Sequence, residues 1–338
     1  MIDKKTVFVL GAGASCPYGY PSGSRLRERI ITPEELVFDY DIWQIDSKCT
    51  PAYKTQEISK FKDAFNKSHI KSIDMFMANN PKFAPVGKYI IAFETLRAER
   101  QSFFGEAEKL VSARNSKLGL PQQPLSLGDD WYSYLYKRLI EGLVGKDALP
   151  DFSNGNLAFI TFNYDRSLEQ FFYEALRYSF TEVSEERIVQ SLKQLKILHV
   201  YGQIAPLKWQ NPNDYVDYKH PIEESLLQRA ANNIRTIHEE KQNPEWIEAQ
   251  NLLEQAKRVF FLGFGYAPEN MEVLKLPGII SKASKLCGTA LGFESGEVRN
   301  IQNRISNGLE SDSFLRHSLH GIEIEKEMDC LKLLRNYL

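Results

Sequence analysis

Thr6-Val7-Phe8-Val9-Leu10-Gly11-Ala12-Gly13-Ala14-Ser15 is the stretch that decides the fold. Its first half is apolar throughout and rich in β-branched residues. It therefore reads as a strand buried on both faces rather than one that alternates between core and water. Its second half is a glycine turn. A buried strand that empties into such a turn, with a helix to follow, is how doubly wound α/β folds seat a nucleotide diphosphate. The glycines let the backbone approach the phosphates, and N–H groups at the helix start meet the negative charge. The dinucleotide fingerprint wants a further glycine where Cys16 stands, so an ordinary strand-to-helix turn is the plain alternative.

Other short apolar runs extend the pattern: Leu157–Phe162, Ile197–Tyr201, Val259–Leu262 and Thr289–Phe293. Helical periodicity separates them, as at Leu168, Phe171, Phe172, Ala175 and Leu176 on one face of a helix starting at Arg166. Alternating strands and helices predict an α/β fold: a Rossmann-like parallel sheet with helices on both faces. The long interval between Leu10 and Leu157 carries helix candidates at Lys54–Lys67, Ile73–Ala78, Lys88–Arg100 and Trp131–Leu143, and a loop at 121–130. We read the chain as a single domain over 1–338. It has a large helical insertion over about 31–150 and a second helical segment over about 221–256, broken by Pro244.

Composition narrows the class. The chain has 338 residues, 43% hydrophobic, enough to bury a sizeable core, and its formal charge of −2 advertises no nucleic-acid partner. No apolar run approaches the roughly 20 residues that span a bilayer. Cys16, Cys49, Cys287 and Cys330 form no C-x-x-C pair, which disfavours a zinc ribbon or a disulfide framework. A cytoplasmic, reducing setting is the expectation.

Candidate site residues gather where strands end, because open parallel sheets bind ligands outside their carboxyl ends. Past the first strand lie Gly11, Ala12, Gly13 and Ser15, then the turn-rich Pro21-Ser22 and Arg25, which either reaches a phosphate or is a solvated helix charge. Thr161-Phe162-Asn163-Tyr164-Asp165 ends the second strand. Asp165 suits a helix N-cap, but Asn163 comes too early for that duty, and its amide offers both a donor and an acceptor. His199 and Tyr201 end the third strand, before Gly202, and alternation would put both on one face. His199 reads as a general base or as a core histidine bonded to backbone. Gly263-Phe264-Gly265 and Asn270 follow the fourth strand, with Pro268 suited to a helix's first turn. The remaining histidines, His69, His220, His238, His317 and His320, sit in polar or terminal contexts and read as surface residues.

Together these motifs resemble the sirtuin-like superfamily, in its divergent prokaryotic branch. The matching elements are the G-A-G-x-S turn at Gly11–Ser15, Gly19-Tyr20-Pro21-Ser22, Ser72-Ile73-Asp74-Met75-Phe76, Thr161-x-Asn163-x-Asp165, His199-Val200-Tyr201-Gly202 and Gly263-Phe264-Gly265. They occur in family order. The sequence departs from the family twice. The cysteine pairs of the deacylases' zinc module are absent, and Tyr201 stands where the family's catalytic histidine directly precedes the glycine.

The resemblance implies NAD as substrate, no zinc and no other metal. It implies a hydrolase of the nicotinamide–ribose bond, an NAD-depleting effector of bacterial antiphage defence. Such an effector is activated by assembly as a homo-oligomer or by a partner, for example a DNA-translocase ATPase of the HerA type. On that basis Asn163, His199 and Asp165 are the catalytic candidates. The diphosphate and the rest of the nucleotide fall to Gly11, Ala12, Gly13, Ser15, Pro21, Ser22, Arg25, Tyr201, Gly202, Gly263, Phe264, Gly265 and Asn270. The alternatives are a non-catalytic NAD or ADP-ribose sensor and, less favoured, an NAD-dependent deacylase. A plain dehydrogenase is disfavoured, because Glu34-Glu35 follows Pro33 in helical context instead of ending a second strand.

Overall fold

The computed structural model describes residues 2–32, 52–102, 104, 129–145, 148–236, 243–276, 278–280, 285–307 and 322–338. Six strands form one sheet: β1 (Thr6–Leu10), β2 (Leu157–Thr161), β3 (Lys196–His199), β4 (Arg258–Leu262), β5 (Lys285–Thr289) and β6 (Ile322–Glu325). All neighbours run parallel, in the order β3-β2-β1-β4-β5-β6. This is the doubly wound order, and its direction of winding reverses between β1 and β4, where such sheets open a crevice.

β1 sits in the middle and is buried along its whole length. Phe8 is in register with Phe159 of β2 and Phe260 of β4, and the three rings stack across the sheet at centroid distances of 5.4 and 5.2 Å. Alternation divides the strand between two cores. Phe8 and Leu10 join Phe159, Leu168, Phe172 and Phe260 on one face, while Val7 and Val9 join Ile160, Leu253, Val259 and Phe261 on the other. Helices Ser167–Ser179, Glu185–Leu192 and Cys330–Tyr337 cover the first face, and Pro244–Gln255 and Ser295–Asn307 the second.

Between β1 and β2 the described residues are helical: Gly23–Ile31, Thr55–Lys67, Ile73–Asn79, Ala84–Gln101 and Trp131–Ile140. The middle three, with Glu224–Asn233 from beyond β3, build a third core around Phe61, Phe65, Phe76, Tyr89 and Leu227. A buried bond from the Tyr89 hydroxyl to Glu224 Oε2 (2.8 Å) ties the two segments together. Pro244 divides the second segment by opening a new helix at its first turn, where a missing N–H costs nothing. Residues 33–51, 103, 105–128 and 146–147 of the expected insertion, and 237–242 of the second segment, lie outside the described residues; so do Glu34-Glu35, Cys49, His238, His317 and His320.

One expected strand is misplaced. The run Thr289–Phe293 is not the fifth strand; β5 ends at Thr289, and Phe293 N–H closes a turn onto Ala290 O at 3.0 Å. Lys285 and Gly288 hid the true strand from an apolar scan. β6, whose Ile-Glu alternation is that of a sheet edge, was not anticipated at all.

Candidate active site

The ends of β1 and β4 meet backbone to backbone. Gly11 N–H donates to Leu262 O at 3.0 Å and Gly13 N–H to Gly263 O at 3.1 Å, while Ala14 N–H folds back to Gly11 O at 2.9 Å. A Cβ on Gly11 would lie 2.4 Å from Gly263 O, and one on Gly263, whose φ is +58°, 2.2 Å from Ala14 N. These glycines therefore make room for one another's chains, which a side chain would forbid. The amides of Gly11 and Gly13 are consumed in the process. Ala12 N–H carries no partner among the described residues.

Asn163, two residues past β2, reaches across to that junction. Its Nδ2 donates to Gly11 O at 3.0 Å and to Ser15 Oγ at 2.9 Å, and its backbone N–H is fixed by Thr161 Oγ1 at 3.1 Å. Both amide protons are spent, so the Oδ1 lone pairs are what the side chain has left to offer. No described residue bonds them.

His199, the last residue of β3, holds the same loop from the other side. Nδ1 lies 2.9 Å from Asn163 O and Nε2 2.6 Å from Glu169 Oε1, which also accepts from Gln203 Nε2 at 3.0 Å. Glu169 is 1% exposed. Burial pulls the imidazole pKa down, but the Glu169 carboxylate and the Asn163 carbonyl outweigh it, so the group is raised above its ordinary value. Both ring nitrogens face oxygens, an arrangement that suits the doubly protonated ring.

Asp165 is buried and anchors the next helix. Its Oδ1 accepts from Ser167 N–H at 3.0 Å and Ser167 Oγ at 2.5 Å, and Ser167 Oγ meets the Tyr132 hydroxyl at 2.9 Å. Burial lifts the Asp165 carboxyl above its usual range, against the hydrogen bonds from Ser167 and Ser15. Asp165 is not the N-cap expected of it: the helix starts at Ser167, Arg166 holds the cap position without a side-chain cap bond, and Asp165, one residue earlier, makes an Asx-type bond to Ser167 N–H. Arg166 turns the other way. Wholly buried, it makes a two-pronged pair with Glu99 of Ala84–Gln101 (2.8 and 2.9 Å) and donates to the carbonyls of Val216 and Asp217 at 2.5 and 2.8 Å. The loop bearing Asn163 and Asp165 is thus stapled to the helices inserted between β1 and β2.

Tyr201 parts from His199. β3 stops at His199, and Gly202 N–H closes a turn onto His199 O at 3.3 Å, so strand alternation no longer applies. The Tyr201 ring joins the opposite core, edge-on to Phe162, which is itself edge-on to Phe264. The Tyr201 hydroxyl donates to Asn270 Oδ1 at 2.9 Å. Burial, with Asp74 and Glu269 nearby, pushes this phenol's pKa well up. Gly202 lies against the Asn233 carbonyl, and Gly265 faces open space. Ser22 caps Gly23–Ile31 by accepting from Arg25 N–H at 3.2 Å, behind a half-buried Pro21. The Arg25 side chain is exposed and pairs with Glu28 at 2.9 Å.

The structure therefore brings Gly11, Ser15, Asn163, Asp165, His199 and Gly263 into one connected cluster, and gathers Tyr201, Phe264 and Asn270 beside it. Two residues were missed. Glu169 lies on the same helical face as Phe172 and Leu176, and a charge on an apolar stripe was the signal for it. Arg166 had no local signal, since its partner Glu99 is 67 residues away. Among the described residues no group of histidine, cysteine or acidic side chains is placed to hold a metal ion, and no helix is long and apolar enough to cross a membrane.

No protein-family profile matches the chain, and no curated protein does. Among solved structures, it is similar to Sir2Tm bound to a propionylated peptide, at 14% identity and a TM-score of 0.36, covering 99% of this chain and 92% of that one. It is also similar to a SIR2 in complex with the inhibitor EX-527, 2'-O-acetyl-ADP-ribose and deacetylated p53 peptide, at 14% identity and a TM-score of 0.35, covering 98% and 91%.

Proposed function

We propose that the chain hydrolyses NAD⁺ at the bond between nicotinamide and ribose. One observation carries the reading. The Asn163 carboxamide is pinned by two donated bonds at the switch point of a doubly wound sheet, and its oxygen is left unbonded there. The order of the strand-end motifs supports it.

In this reaction the N-glycosidic bond breaks and its electron pair neutralises the nicotinamide nitrogen. Cationic character passes to the sugar, water adds to the anomeric carbon, and a proton leaves to solvent. Asn163 Oδ1 accepts a hydrogen bond from a ribose hydroxyl or from the attacking water. Ala12 N–H is the turn's donor for the diphosphate. Ser15 and His199 hold the Asn163 side chain and backbone in place, and Asp165 anchors the loop from behind. Positioning and fixed dipoles supply the rate, with little demand for a strong base. The resemblance drawn from the motifs extends the proposal to an antiphage effector switched on by self-assembly or by a partner ATPase.

The test is nicotinamide release from NAD⁺ by the purified chain, alone and with its genomic neighbour. We expect release by the wild type and its abolition in Asn163→Ala, with the variant still folded. A second reading, a sensor that binds NAD or ADP-ribose without turnover, is favoured by the engagement of both His199 ring nitrogens with protein oxygens. Nucleotide retained for hours without nicotinamide release would select it.

A further inference from the structure

We propose that Glu169 is a positioning residue: it holds His199 as an imidazolium, and that cation clamps the Asn163 backbone so that the carboxamide stays aimed into the site. The argument starts from hydrogen-bond capacity. A carbonyl oxygen only accepts, and so does an ionised carboxylate. His199 places one ring nitrogen on each, at 2.9 Å from Asn163 O and 2.6 Å from Glu169 Oε1. A neutral imidazole would point a lone pair at one of these oxygens; against an ionised carboxylate, only the doubly protonated ring satisfies both.

The surroundings agree. From helix Ser167–Ser179 the charged group facing the ring is Glu169; from the loop after β2 it is Asp165, behind the Asn163 carbonyl; from the turn after β3 comes only the neutral Gln203, whose amide also donates to Glu169. Both of these ionisable neighbours are acids, and the imidazole pKa is raised in spite of burial. Loss of the proton would break one of the two bonds and release the Asn163 carbonyl. The site is then active while His199 is charged and fails as pH rises, the reverse of a histidine acting as base. This alkaline failure rests on the hydrolase reading; the protonation state of the ring does not.

The test pairs two measurements on the full chain. In the first, ¹⁵N chemical shifts of the His199 ring are followed between pH 5 and 10, a range chosen to bracket about pH 6.5, where an ordinary histidine titrates. We expect two protonated nitrogens at neutral pH in the wild type. Glu169→Gln, which keeps the shape and removes the charge, should lower the midpoint by about 1–3 pH units. In the second, the pH dependence of kcat and KM for NAD⁺ is measured in both proteins. The alkaline limb should move down with the ring's midpoint and fall mainly on kcat. A wild-type ring with one bare nitrogen at neutral pH overturns the proposal, as does an alkaline limb that Glu169→Gln leaves in place. A wild type that releases no nicotinamide at any pH sinks the hydrolase reading instead, and the ring shifts still decide the state of His199.

Discussion

The two halves of the strand-end crevice are built on different principles. Where β1 meets β4, the contact is main chain on main chain, and glycines are there because nothing larger fits. Where β2 meets β3, the contact is a network of buried and half-buried side chains: Asn163, His199, Glu169, Asp165 and Ser167, with Arg166 and Glu99 behind. The first half is insensitive to pH and intolerant of a methyl group. The second is sensitive to charge.

Substitutions can break this contrast, and the largest effect belongs to the backbone half. Gly263→Ala puts a Cβ 2.2 Å from Ala14 N at a left-handed φ, so we expect a loss of more than about 4 kcal/mol, read as loss of soluble folded protein or of its thermal transition. Next comes the buried pair. Glu99→Gln leaves the Arg166 charge without its counter-ion, which costs about 3–5 kcal/mol and is measurable by urea denaturation.

The histidine gives a smaller, pH-dependent effect. Its folded pKa lies above the ordinary value, so the folded state binds the proton more tightly than the unfolded chain does. That stabilisation is fully present below about pH 6.5, where unfolded histidine titrates, and is lost as pH rises through the folded pKa. His199→Gln should therefore cost about 1.5–3 kcal/mol at pH 6, the range for hydrogen bonds to a charged group, and much less at pH 9. An equal cost at both would place no special charge at His199. Gly265→Ala sharpens the comparison from the same loop as Gly263. Here φ is +74° and the space is open, so only the left-handed penalty of about 1–2 kcal/mol applies, visible as a modest drop in melting temperature.

The backbone half was the more legible in sequence. Thr6–Leu10 announces its burial by having no polar alternation, and Gly11, Gly13 and Gly263 mark tight places whatever their purpose. The purpose was less legible: N–H groups at the helix start were expected to meet phosphate, and the amides of Gly11 and Gly13 bond the carbonyls at the end of β4. The side-chain half was legible only in part. Asn163 stood out as an amide with no capping duty. The partner of His199 did not, although a glutamate on an apolar helix face was visible. Tyr201 was assigned to the face of His199 by a strand rule that lapses two residues too soon. Arg166 with Glu99 is a contact that no local pattern encodes.

The central position of β1 also governs how this chain is made. Its two neighbours in the sheet, β2 and β4, begin only at Leu157 and Arg258. At a ribosome's pace the stretch from Leu10 to Leu262 takes roughly 10–50 s to emerge. Until β2 emerges, roughly 8–30 s after Leu10, this buried strand has no neighbour, and its second one follows only at the end of that interval. We expect this order of parts to lower the soluble fraction when the chain is overproduced, and a holdase chaperone to restore it. Slower elongation at low temperature should improve recovery less than supplying a chaperone that shields the first fifteen residues.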